Sequence, residues 1–244
     1  MKILVWDIGK KNIERIPEPE RSFVIALGHI TNEINILQKF LYWTQPDEAD
    51  SEIHRKAHTM QSLFVAKLLA AKLAEGWQFL NKGYFSSTFS KIHESQLDDN
   101  GTNALQSLKN YFGRTNILTS VRNEFVFHYS PEQFQSGFIN TSDAEQWQLI
   151  MSEAPGNSVY YISDLISNYS MFHHIDESDQ SNAIDKLLDD SLLIAKLFIA
   201  FCNSCWISTA DRYLKGSGGT YKEIQVNGSP ALGDVRIPYF IETE

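Results

Sequence analysis

The stretch ERSFVIALGHITNEINILQKFLYWT, residues 20–44, decides the fold class. Its apolar residues Val24, Leu27, Ile30, Ile34, Leu37 and Leu41 recur at spacings of three and four, the period of one face of an α-helix. Gln45-Pro46-Asp47 breaks that helix, and Asp50 or Ser51 offers a cap for the next. The second helix, from 51 to about 81, is expected to bury Leu63, Val65, Leu68, Leu69, Leu73, Trp77 and Leu80. A Ser- and Asp-rich stretch follows, then a short helix over 103–112 that stops at Gly113. Thr115 or Asn116 caps a helix running to about Tyr129, because the residue before Pro131 disfavours helical geometry. Further helices are expected over 141–152 and 180–215, and 159–162 reads as a strand or as the opening of a helix over 158–169.

At the ends of the chain, Ile3 to Ile8 reads as a short strand. In the tail, Asn227-Gly228 is a turn signal between 221–226 and 235–241, which predicts a small β-hairpin or an extended arm. The expectation is a mainly α fold, a bundle of four to five long helices over residues 1–215 with the hairpin or arm over 216–244.

Net charge narrows the partners. A charge of −9 over 244 residues, with a pI near 5.3, argues against a broadly basic nucleic-acid surface, so any RNA or DNA contact would need a local basic groove. Cys202 and Cys205 lie in an apolar run and read as reduced core residues, which implies a cytoplasmic protein. Ile3 to Trp6 stops at Asp7, too short for a signal-peptide core. The longest apolar run, Leu192 to Ile207, contains Lys196 and Asn203 and falls short of the ~20 residues a spanning helix needs. It reads as a core helix, with no membrane partner.

The chemistry is concentrated in Ser120-Val121-Arg122-Asn123-Glu124-Phe125-Val126-Phe127-His128-Tyr129. On a helical wheel Leu118, Val121 and Phe125 form an apolar stripe, with Arg122 and His128 on either side of it. They stand about 120° apart and roughly 9 Å along the axis. One phosphate is not easily gripped by both from a single helix. Two antiparallel copies across a two-fold axis give a groove lined by two Arg and two His. Arg offers a fixed fork of donors to phosphate, and His can take or give a proton near neutrality. With a ribose 2′-hydroxyl as internal nucleophile, this set suffices for RNA cleavage without a metal. On spacing alone the alternative is structural: Arg122 bridging a core carboxylate, and His128 a satisfied interface histidine.

Arg122, Asn123 and His128, with five residues between Arg and His, resemble the motif of the HEPN superfamily, all-α bundles with Arg, a polar residue and then His. The wording Arg-Asn-Glu-Phe-Val-Phe-His-Tyr looks like the bacterial branch that includes AbiU2-like abortive-infection proteins, which is similar too in a long second helix with a Trp near its end, here Trp77. The resemblance covers about residues 20–215, but only the short motif is specific. It implies a homodimer with a composite site, metal-independent endoribonuclease activity without a cofactor, and a role in phage defence or as a toxin with a possible cognate antitoxin or regulatory protein. Arg122 would hold the scissile phosphate, His128 would assist proton transfer or phosphate positioning, and Asn123 would support the site. Arg122, Tyr129 and Asn32 would contact substrate. Family members silenced by modification carry a Tyr two residues after the His; here Ser130 stands there and Tyr129 comes one residue earlier. The alternative is a non-catalytic helical scaffold, a degenerate HEPN domain that binds nucleotide, RNA or a partner protein.

Other clusters read more simply. His54 and His58, with Glu52 close by, share a helix face and have zinc-ligand spacing, yet Arg55 and Lys56 favour a solvated face. His173-His174 with Asp176 and Glu177 reads as surface groups in a loop before a helix. Lys215 to Thr220 is glycine-rich, a helix stop and flexible turn rather than a phosphate loop. Asn32, Glu33 and Asn35 either hydrogen-bond across the bundle, line the same groove as Arg122, or sit on an exposed face. No metal site is assigned, and no local Ser/His/Asp or Cys/His triad can be assembled.

Overall fold

Three- and four-residue apolar spacing does generate the long helices of this chain. The computed structural model describes residues 1–216 and 220–242. In order these form β1 (Lys2–Asp7), α1 (Lys10–Ile13), α2 (Glu18–Trp43), α3 (Glu52–Phe79), α4 (Ser90–Glu94), α5 (Asp99–Phe112), α6 (Ile117–Val121), α7 (Pro131–Asn140), α8 (Tyr161–Ile175), α9 (Gln180–Thr209) and β2 (Thr220–Gln225). The fold is mainly α with a small two-stranded antiparallel sheet. Three helices run on into π-helical turns, at Leu80–Tyr84, Arg122–Val126 and Ala210–Leu214.

The chain divides into two compact units. The first comprises Met1–Ile34, Glu75–Arg114 and Ile194–Ala231, and the second Asn35–Ala74, Thr115–Leu193 and the chain from Leu232 onward.

In the first unit β1 pairs antiparallel with β2, Lys2 opposite Gln225 and Trp6 opposite Tyr221. This corrects the expected hairpin: residues 221–226 pair with the N-terminal strand and not with 235–241. Cross-strand chemistry explains the choice. Trp6 stacks on Tyr221 with centroids 5.2 Å apart, Lys2 meets Glu223 at 2.8 Å, and Lys222 meets Asp7 at 2.5 Å. The core gathers Phe23, Tyr84, Phe89 and Phe201 in ring contact. Asp98 caps α5, accepting the Gly101 N–H at 2.7 Å. A side chain at Gly101 would meet Ser204 Oγ at 2.2 Å, so this crossing requires glycine. Buried Glu20 accepts from Tyr213 Oη at 3.0 Å, lies 2.5 Å from His93 Nε2, and pairs with Arg212.

In the second unit Ser51 caps α3, its Oγ accepting the His54 N–H at 3.4 Å. The helix expected over 141–152 does not form; α7 precedes it. Ser130-Pro131 starts α7, Ser130 accepting the Gln133 N–H at 3.2 Å with proline in the first turn, a helix-start signature. Thr141 donates to the Gly137 carbonyl at 2.7 Å and the helix stops. Of the strand-like 159–162, only Val159 makes a bridge, to Ile150, and α8 begins at Tyr161. From Leu232 onward the tail belongs to this unit, opening on a short 3-10 turn over Leu232–Asp234. Arg236 pairs with Asp47 and lies 3.4 Å from Asp50. The Ile237 N–H donates to the Trp43 carbonyl at 2.9 Å, and Asn157 Nδ2 to the Ile241 carbonyl at 2.6 Å. Of the glycine-rich segment, Ser217-Gly218-Gly219 lies outside the described residues.

Among the described residues one helix, Gln180–Leu214, is long and apolar enough by length and composition to cross a membrane, which corrects the shorter run read from sequence. Half of its most apolar window is buried, with Ile194, Phe198, Phe201 and Cys205 fully so.

Candidate functional site

Asn116 opens α6, its Oδ1 accepting the Thr119 N–H at 2.9 Å, and Leu118 and Val121 anchor the helix in the core. At Arg122 the hydrogen bonding widens to the i→i+5 pattern and ends at Val126. Phe127, at φ −124° and ψ 6°, has left the helix, and His128, Tyr129 and Ser130 form a connector to α7. The expected helix to Tyr129 is therefore three residues too long. Ser130 must be extended to cap α7, and that requirement unwinds the turn before it. The 100° wheel does not describe Arg122 relative to His128.

Side chains from α7 and α8 hold the widened turn. Gln133, third in α7, sends its Nε2 back to the Glu124 carbonyl at 2.8 Å. From α8, His174 Nε2 lies 2.6 Å from Ser120 Oγ and Nδ1 lies 3.7 Å from Glu124 Oε2. Its ring meets that of Phe125 at 5.3 Å. His173 and His174 thus belong to the last turn of α8 and not to a loop.

Arg122 is half-buried, and its Nη1 donates to Asn123 Oδ1 at 2.9 Å. His128 is exposed, with no hydrogen-bond or charged partner among the described residues, and Tyr129 is 80 % exposed. Both line a cleft of about 240 Å3, whose wall does not include Arg122 or Asn123. Asn32 is exposed on the part of α2 that belongs to the first unit.

The cleft also holds two ionisable residues that sequence reading passed over. Lys67 is only 9 % exposed, and its Nζ donates to Asn168 Oδ1 at 3.3 Å. Asp164 lies within reach of its charge. Burial pushes the Lys67 ammonium below its ordinary pKa and the Asp164 carboxyl above its own, each charge partly offsetting the other's shift. The available signals were a lysine between Ala66 and Leu68 on an apolar helix, and Asp164, Ser167 and Asn168 at three- and four-residue spacing.

The other expected clusters resolve into structure. His58 is buried, its Nδ1 2.9 Å from Asp50 Oδ2, so that face of α3 is not solvated there, while His54 Nδ1 meets Ser51 Oγ at 2.8 Å. Asp176 is held by Lys186, Ser178 and Asn182, which depress its carboxyl. Cys202 and Cys205 are free and buried, and burial pushes both thiols up. Among the described residues no group of three or more His, Cys, Asp or Glu could hold a metal. No protein-family model, curated protein or solved structure matches this chain.

Proposed function

We propose that the chain is a metal-independent endoribonuclease of HEPN type that works as a homodimer in the cytoplasm. The observation that carries this reading is the pairing of Arg122 with Asn123 at one end of a helix break and, at the other, an exposed His128 without a hydrogen-bond or charged partner among the described residues. In one chain Arg122 stands off the cleft that His128 lines, which suits a site completed by a second copy.

In this reading Arg122, oriented by Asn123, grips the scissile phosphate. The 2′-oxygen attacks phosphorus, the bond to the 5′-oxygen breaks, and His128 moves the proton between those oxygens. The products are a 2′,3′-cyclic phosphate and a 5′-hydroxyl. Two Arg in one groove would supply the local positive charge that a net −9 chain lacks overall. The resemblance places such an activity in phage defence or as a toxin held by a cognate antitoxin or regulator. The second reading is a helical scaffold that binds nucleotide, RNA or a partner protein without cutting; of these, the net charge of −9 sits best with a partner protein.

Cleavage of a mixed RNA pool in EDTA separates the two. Wild type should cut and leave 2′,3′-cyclic ends while His128→Ala, prepared identically, should not. Equal cutting by both would remove the reading, and no cutting by either would favour the scaffold.

A further inference from the structure

Resting on the endoribonuclease reading, we propose that the cleft beside His128 is a nucleobase pocket for the nucleotide flanking the scissile phosphate, selective for guanine. Its polar end has hydrogen-bonding capacity that the protein does not use. Lys67, more than nine-tenths buried, makes one long contact, 3.3 Å to Asn168 Oδ1, and so keeps ammonium hydrogens to donate. The Asp164 carboxylate accepts no hydrogen bond and makes no ion-pair contact among the described residues. Two ionisable groups turned into a cavity with that much left over are costly unless a ligand meets both.

The rest of the wall suits a base. Phe64 and Phe134 line the cleft, and aromatic rings are groups on which a base can stack. The volume, about 240 Å3, lies below the ~300–1,000 Å3 of pockets for drug-sized ligands, enough for a base with its sugar and phosphate left outside. Guanine's pairing edge carries two adjacent N–H donors beside one carbonyl. A carboxylate takes both donors and an ammonium meets the carbonyl, whereas the other three bases lack that pair of donors beside an acceptor. Hydrogen bonds from such a ligand would also stabilise the charged form of both groups, which offsets the burial that opposes their charges.

The test is calorimetric titration of the wild-type protein with the 5′-monophosphates of guanosine, adenosine, cytidine and uridine, beside a cleavage map of a mixed RNA pool. Guanosine monophosphate should bind at least about tenfold tighter than the other three, and cuts should cluster next to guanine. Asp164→Asn should erase the discrimination while keeping the native melting profile. Equal or absent binding of all four together with base-indifferent cutting would overturn the pocket and leave the nuclease standing. Selective guanine binding with no cutting would support the pocket and remove the nuclease reading.

Discussion

Ser120 Oγ lies 2.6 Å from Nε2 of His174, and this contact ties the segment that carries Arg122 to the last turn of α8. The other nitrogen of the same ring, Nδ1, faces the Glu124 carboxylate at 3.7 Å, so the imidazole spans two side chains of the segment. The contact is solvent-exposed, so it contributes more to position than to stability. Ser120→Ala should cost at most about 1 kcal/mol in urea denaturation. RNA cleavage should fall by roughly tenfold, because the phosphate-holding residue is no longer fixed. Unchanged cleavage would show that the contact does not position Arg122.

Arg122→Lys keeps the charge but loses the planar fork. Cleavage should drop by roughly 10²-fold, while the melting temperature should change little, because lysine keeps the positive charge at this half-buried position. Wild-type rates with lysine would mean that a point charge suffices.

Gln133 satisfies the Glu124 carbonyl from α7. Gln133→Leu should lower stability by about 1 kcal/mol, measured by urea denaturation, and should speed amide hydrogen exchange over 122–127 relative to α3. Unaltered exchange there would show that the π-helical turn holds without this bond.

In the first unit, burial pushes the His93 imidazole below its usual pKa of about 6.5, against the pull of Glu20 and with some help from Arg212. The folded protein then binds fewer protons than the unfolded chain between those two values. The stabilisation is complete above pH ~6.5 and is lost as pH falls toward the folded value. Melting temperature should decline on going from pH 7 to pH 5, and His93→Gln should flatten that slope. A His93→Gln profile parallel to wild type would assign the slope to other groups.

Much of this architecture could be read before any coordinates. Helix α2 was legible because Val24, Leu27, Ile34 and Leu41 are all core residues, and a sustained period leaves one reading. Helix α7 is announced by Ser130-Pro131, but a proline reads equally as the stop of the helix before it and as the start of the next, and here it is the start. The strand pairing was illegible: Lys2 and Gln225 meet across the whole chain, while Asn227-Gly228 offers a local turn that is not used. The π-helical turn at Arg122 leaves no period in sequence, so the angle between Arg122 and His128 could not be derived from a wheel. The motif residues themselves were visible. Lys67 was not, because a lysine inside an otherwise apolar helix reads as a snorkelling side chain until its burial is seen.

The central claim is that one site draws its arginine and its histidine from two copies of this chain. Arg122→Ala and His128→Ala proteins should each be inactive on RNA in EDTA. Mixed and allowed to exchange subunits, they should regain up to about half the wild-type rate per mixed dimer, because one of the two sites then keeps both residues. A mixture as inactive as its parents, with exchange confirmed by mass, would contradict the composite site.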